Sequence, residues 1–328
     1  MKRRVFIKIA AAGTLSTGLG IPLFGGQKSG IRDKWGSLLP LNDFGHTGEK
    51  VTMLGVGGFH IGRMSDRDAQ QTIETGIAGG IRFFDAAESY VRGENEVKYG
   101  KFLVPKYRDD IYLMTKTKAR DGKTALSHLE GSLRRMKTDT VDLWLIHSVN
   151  SVEDINQLIE QGMVDAFVEA KKSGKVRHIG FSGHVTPKAH LHLLEKTGEL
   201  MQACMLPVNV LDPSYESFIK DVIPALKKNK SAVIGMKSLS GGAFWGGGFE
   251  GRRGEDDKVI DHVSLKDAIH FALSMPVDVL VTGAKDADML QEKIDLVNTY
   301  QKLTDAEQEQ LVKKVAHFAG NRIEYYKV

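Results

Sequence analysis

The chain has 328 residues, 41% of them hydrophobic, and one Cys, which excludes a disordered main state, an intrachain disulfide framework and a cysteine-cluster metal site. Its 45 Lys and Arg outnumber 41 Asp and Glu by four, and four bases (Lys2, Arg3, Arg4 and Lys8) fall in the first 26 residues with no acid among them. The remainder is charge-balanced, which argues against a nucleic-acid binder built on net basic charge, and the length suits two average domains or one large α/β barrel of about 250 residues.

Residues 1–30 read as a leader. A basic start, MKRRVFIK, precedes a weakly apolar stretch from Ile7 to Phe24 that Gly13, Gly18, Gly20 and Pro22 interrupt. The layout is that of a secretory signal, and Arg3-Arg4 followed by Phe6-Ile7-Lys8 resembles a twin-arginine signal. That resemblance implies a periplasmic or exported protein, free or tethered by its leader, with the twin-arginine export machinery as a partner. A frayed basic N-terminus on a cytoplasmic protein is the alternative. Residues 31–45, rich in Gly and polar groups, read as a linker, and 46–328 as the folded body.

From Val51 onward, apolar runs alternate with helical patterns. The runs VTMLGVGG (51–58), IRFFDAA (81–87), IYLMTK (111–116), VDLWLIH (141–147), VRHIGFS (176–182), MQACMLP (201–207), SAVIGMK (231–237) and VDVLVTG (277–283) predict eight strands. Most are continuously apolar, as in a parallel sheet covered on both faces. Ser65 and Asp68 cap a helix that Gly79-Gly80 ends, and further helices are predicted over 95–104, 124–136, 165–172, 187–196, 215–228, 265–274 and 288–300. Thr304 and Glu307 cap one more. The expected fold class is α/β, a single-domain (β/α)8 TIM barrel with an extra C-terminal helix. An open doubly wound sheet is the alternative, but its first loop should carry GxGxxG, and GVGGFHIG lacks that spacing.

A barrel of this kind places its chemistry at the C-terminal ends of its strands. The second, third and fourth runs bring Asp85, Lys116 and His147 to that position at equal intervals, and Tyr90 lies in the loop after Asp85. Singly, each has a plain structural reading: a helix cap, a solvated lysine with Lys118 as its rival, a core histidine, a packing tyrosine. Together they sit in register on consecutive strands, where Asp85 could pair the lysine.

The segments FFDAAESY, LMTKTKA and DLWLIHSV resemble the aldo-keto reductase motifs around an Asp, Tyr, Lys and His tetrad. VTMLGVGG, NEVKYGKFL, KVRHIGFSGH, GMKSLSGG and VLVTGAKDADMLQEK extend the resemblance over most of residues 46–300. It implies an NAD(P)-dependent oxidoreductase that interconverts a carbonyl (aldehyde, ketone or sugar) and an alcohol by hydride transfer. Tyr90 would be the general acid/base. Lys116 would lower the tyrosine pKa, Asp85 would hold the lysine charged, and His147 would bind the carbonyl oxygen. Alternatives are a cofactor-binding module that senses redox state or regulates a partner, and a sugar oxidoreductase or epimerase that retains its cofactor. The family also suggests a monomer.

The same resemblance implies the cofactor contacts. Gly57 and Gly58 lie in the first loop, and Ser182 matches the serine that holds the nicotinamide carboxamide, followed here by Gly183-His184 rather than Asn. Gln202 is the candidate for a strand-six glutamine whose matching position is Met205. Met236, Lys237, Leu239 and Gly241 follow strand seven. Gly283, Ala284, Lys285, Met289 and Glu292 surround the eighth, with Lys293 nearby, and NADP is expected ahead of NAD. Arg252 and Arg253, in a glycine-dense loop, are further phosphate contacts or solvated charges. His184, His190 and His192 read as surface histidines and no metal is expected; Cys204 reads as an inert strand residue.

Overall fold

Strands that are apolar on both faces must bury both, and closing the sheet gives them an inside and an outside that are equally dry. The computed structural model describes residues 30–246 and 258–327; the leader, Arg252 and Arg253 lie outside the described residues. Eight parallel strands form the closed barrel: β1 (Leu54–Val56), β2 (Phe83–Asp85), β3 (Tyr112–Thr117), β4 (Val141–Ile146), β5 (Val176–Ser182), β6 (Ala203–Pro207), β7 (Ala232–Met236) and β8 (Val279–Thr282). Neighbours in sequence are neighbours in space, and β8 pairs with β1 to close the ring. The expected (β/α)8 architecture is therefore present.

Phe83, Tyr112, Met114, Leu143, Leu145, Met205, Ile234, Val279 and Val281 fill the interior. A larger apolar layer lies between strands and helices, where the indole of Trp144 on β4 stacks on Phe167 at 3.8 Å. The principal helices are α1 (Asp66–Ala78), α2 (Glu94–Lys98), α3 (Gly122–Met136), α4 (Met163–Lys172), α5 (Pro187–Thr197), α6 (Phe218–Lys228), α7 (Leu265–Ser274) and α8 (Ala287–Asn298). Side chains of Ser65, Asp121, Thr186, Ser217, Ser264 and Asp286 cap six of them. The extra helix Asp305–Val315 carries the full Thr304–Glu307 capping box. A helix at Val152–Glu160, capped by Ser151, precedes α4 and had not been expected.

Two segments depart from the sequence reading. Residues 31–45, expected as a linker, form a hairpin of Arg32–Asp33 with Gly36–Ser37 and supply one strand, Leu41–Asp43, of a second hairpin with Lys50–Thr52. The second carries Phe44 into the floor of the barrel, where its ring meets Phe83 at 6.1 Å and Tyr112 at 5.1 Å. The first predicted strand is accordingly divided, its opening residues serving the hairpin and Leu54–Val56 the barrel. The helix predicted over 95–104 widens into a π turn at Tyr99–Leu103. Gly100 explains the local packing, since a Cβ there would stand 2.0 Å from the Arg135 carbonyl oxygen.

Candidate active site

The C-terminal ends of β2, β3 and β4 bring Asp85, Lys116 and His147 to the barrel mouth, and the loop after β2 returns Tyr90 over them. Lys116 is 1% and Asp85 2% exposed, whereas the rival Lys118 is exposed to solvent. The Lys116 ammonium donates to the Asp85 carboxylate, to the Ala86 carbonyl at 2.8 Å and to the Tyr90 hydroxyl at 3.0 Å. That satisfies all three N–H donors of a buried cation. The Tyr90 hydroxyl also hydrogen-bonds Asp85, and a backbone N–H from Gly58 reaches the same carboxylate. His147 packs edge-on against Tyr90 at 5.6 Å, with Nδ1 3.2 Å from Ser89 Oγ, and Phe59 also packs edge-on against Tyr90 at 5.6 Å. The turn that holds Tyr90 is strained: Val91 and Arg92 have φ of 51° and 57°, a conformation a β-branched residue adopts only when its surroundings impose it.

The electrostatics correct one expectation. Tyr90 is partly exposed by surface area, but its hydroxyl end is packed among buried groups. Burial, reinforced by the Asp85 charge, raises its pKa well above the usual phenol value. Burial and the Asp85 charge outweigh the pull that Lys116, 3.0 Å away, exerts toward the phenolate. Burial lowers the Lys116 pKa against the opposing pull of Asp85, and burial with the nearby Lys116 charge keeps His147 well below the usual imidazole value. The resting site thus holds a protonated phenol and a neutral imidazole.

The other predicted contacts scatter. Gln202 lies just before β6, at the opposite end of the barrel, and accepts from Lys171 at 2.5 Å; its odd offset turned it outward. Met205, at the position the glutamine would take, is core. Gly57 donates to the Thr282 carbonyl, and a Cβ on Gly58 would stand 2.2 Å from the Asp85 carbonyl, so both glycines pack strand ends together. Ser182 is buried at the end of β5, and Met236 rests on the interior core at the end of β7. Leu239 and Gly241 lie in the turn after β7, where Ser240, Gly241 and Gly242 all have positive φ. Gly283 faces the His60 ring: a Cβ there would lie 2.6 Å from Nδ1, so no larger side chain fits. Ala284 is buried, Met289 partly buried, and Lys285 and Glu292 exposed.

Lys237 and Lys293 differ from ordinary surface cations. Lys293 is 4% exposed, donates to the Gly283 carbonyl, and burial lowers its pKa to about 8. Burial also lowers Lys237, which lies over the rings of Tyr325 and Tyr326. Among the described residues neither has a carboxylate within salt-bridge distance. With Arg63 and Lys285 they surround the mouth near β7 and β8 with positive charge, and burial together with these four charges lowers the pKa of His60 to about 4. Such a set fits an anionic ligand and offers dinucleotide phosphates their counter-charge.

Sequence reasoning missed Ser89, Phe59, His60 and the segment 319–327. That segment crosses the mouth beside β5, β6 and β7: His184 Nδ1 lies 3.0 Å from the Tyr326 carbonyl, and Asn209 donates to the Tyr326 hydroxyl at 2.9 Å. Of the histidines taken as surface groups, His190 is fully buried between Phe181 and Phe218 and His184 is partly buried. Their polar contacts are backbone carbonyls, which the alternation of residue types does not reveal.

The sequence model of the Aldo/keto reductase family matches residues 53–316. An uncharacterized oxidoreductase of Bacillus subtilis (strain 168), YqkF, is 24% identical over 291 residues, covering 78% of this chain and 90% of its own. The methylglyoxal reductase DkgB of Salmonella typhi is 29% identical over 240 residues, covering 71% and 78%. Among solved structures, the holo form of aldo-keto reductase AKR11C1 from Bacillus halodurans superposes with a TM-score of 0.72 at 20% identity, over 87% of this chain and 99% of the other.

Proposed function

The chain belongs to the aldo/keto reductase family of oxidoreductases acting on carbonyls, and from that premise we propose that it reduces an aldehyde, ketone or sugar carbonyl with NAD(P)H, Tyr90 serving as the general acid. The observation that carries this reading is the Lys116 ammonium bonded at once to Asp85, Ala86 and the Tyr90 hydroxyl. The dinucleotide, when bound, supplies the hydride; the chain supplies geometry and protons. Lys237 and Lys293 would hold its phosphates, and Ser182 would meet the carboxamide.

The protein's own steps follow from charge. His147, neutral and fixed beside Tyr90, orients the carbonyl oxygen. The Tyr90 proton, directed to Asp85 in the resting site, turns to that oxygen as negative charge develops on it. The phenolate left behind is stabilised by Lys116 at 3.0 Å, and Asp85 keeps the ammonium charged and in place. A raised pKa keeps the acid loaded at neutral pH, and the adjacent cation makes its loss of a proton affordable when substrate is present.

Tyr90→Phe tests the reading. It should bind NADPH and NADH as the parent does in a fluorescence titration, while turnover of short aldehydes falls roughly 100-fold or more. Near-normal turnover would remove Tyr90 from the acid role. The same titration compares the two cofactors; NADP is the expected preference, on the strength of the cations around β7 and β8. The twin-arginine-like leader suggests export of the folded protein with its cofactor retained, since free nicotinamide cofactor should be scarce outside the cytoplasm. Mass spectrometry of protein taken from its native compartment should find the dinucleotide bound, and fast exchange from an empty site would dispose of retention.

A further inference from the structure

The segment 319–327 is pinned chiefly by buried groups. Lys327 Nζ lies 2.8 Å from Asp212 Oδ1 and 2.8 Å from Glu324 Oε1, and it donates to the Tyr215 carbonyl at 2.7 Å. The Tyr326 hydroxyl is held by Asn209 at 2.9 Å. These anchors fix the backbone of Tyr326, and its carbonyl oxygen lies 3.0 Å from His184 Nδ1. A carbonyl can only accept, so the hydrogen of this bond belongs to Nδ1. A neutral imidazole with its hydrogen on Nδ1 carries a lone pair at Nε2. Burial together with the nearby charges of Lys237 and Lys118 lowers the His184 pKa to about 4, so the ring is neutral at neutral pH. No described residue bonds its Nε2, and that atom is not among the buried unsatisfied ones.

The location gives this lone pair a use. His184 follows the end of β5, and electrostatically it reaches both His147 after β4 and Lys237 after β7. It therefore stands at the mouth, on the side of the tetrad away from β8. We propose that His184 Nε2 is a fixed hydrogen-bond acceptor for a substrate hydroxyl, so that the enzyme selects hydroxy-carbonyl compounds over unsubstituted ones. This rests on the carbonyl-reduction reading and adds the substrate class to it. His184 acts through contact with substrate, and the segment 319–327 is the device that sets its tautomer.

Glyceraldehyde and propanal, which differ by two hydroxyls, provide the test. The ratio of their kcat/KM values should favour glyceraldehyde in the parent enzyme. It should fall roughly three- to tenfold in His184→Phe, which removes the acceptor, the loss residing in KM. His184→Gln, which offers an amide oxygen, should recover most of it. Imidazole nitrogen NMR of the parent should show the Nδ1–H tautomer for His184. Equal ratios in the parent and His184→Phe, an Nε2–H tautomer, or a loss in the variant confined to NADPH affinity would each overturn the proposal. A parent enzyme that binds NADPH but reduces neither these aldehydes nor hydroxyacetone, acetone or an aldose overturns the carbonyl reading as well, and the inactive parent distinguishes that failure from the others.

Discussion

At the scale of single residues, the site depends on which charges are already committed. A lysine beside a tyrosine is expected to draw the phenol toward ionisation, yet here burial and the Asp85 charge outweigh Lys116. The consequence is a pH profile. Reduction needs the protonated phenol, whose pKa is raised, so activity is present below the ordinary phenol value of about 10 and lost only as pH rises beyond it. His147, held neutral, adds no ionisation between pH 6.5 and that limit. With cofactor bound at saturation throughout, so that the loss of the Lys293 charge near pH 8 does not enter, the kcat/KM for reduction should stay flat from pH 7 to about 9.5, and a fall centred near pH 8 would show that Lys116 outweighs burial at Tyr90. Asp85, Lys116 and His147 were legible in the sequence because each ends an apolar run at a constant interval, and Tyr90 because it follows Asp85 in the loop. Gln202 and His190 were misplaced because residue type alone does not say which end of a strand, or which side of a helix, a polar group occupies.

At the scale of elements, alternation and capping residues carried most of the fold. All eight strands enter the barrel, and Ser65, Thr304 and Glu307 cap where expected. The hairpin at the floor was illegible, because Leu41–Asp43 and Lys50–Thr52 are too short to show a period, and what they contribute is one ring delivered from outside the repeat. Phe44 is fully buried against Phe83 and Tyr112 and closes the end of the barrel opposite the site. Phe44→Ala should cost about 3–5 kcal/mol in urea unfolding with little change in KM, since the cavity opens at the floor. A cost below about 1 kcal/mol would mean that the hairpin is ornament and the eight strands close the core alone. The segment 319–327 was illegible for a related reason: its anchors, Lys327 on Asp212 and Tyr326 on Asn209, join residues more than a hundred positions apart.

At the scale of the whole molecule, the barrel accumulates buried titratable groups that serve opposite ends of the pH range. His60, His184 and His190 are each lowered to about 4 by burial, so between pH 6.5 and 4 the unfolded chain binds protons that the folded chain refuses. Stability from these groups is complete above the unfolded value and drains away as pH falls toward the folded one. The buried carboxyl groups of Asp85, Asp212 and Glu324 are raised by burial and push the other way, so the net slope of the parent does not isolate the histidines. A single replacement does. His190 is fully buried between two phenyl rings, with Nε2 unbonded and Nδ1 on the Thr186 carbonyl. His190→Leu preserves the apolar volume and removes the proton site. Between pH 7 and 4.5 the parent should lose about 2–3 kcal/mol relative to this variant, read from urea midpoints at the two pH values. Parallel losses in the two proteins would mean that a charged imidazole is tolerated between Phe181 and Phe218, and that the acid limb of stability belongs to the histidines at the mouth rather than to the helical layer.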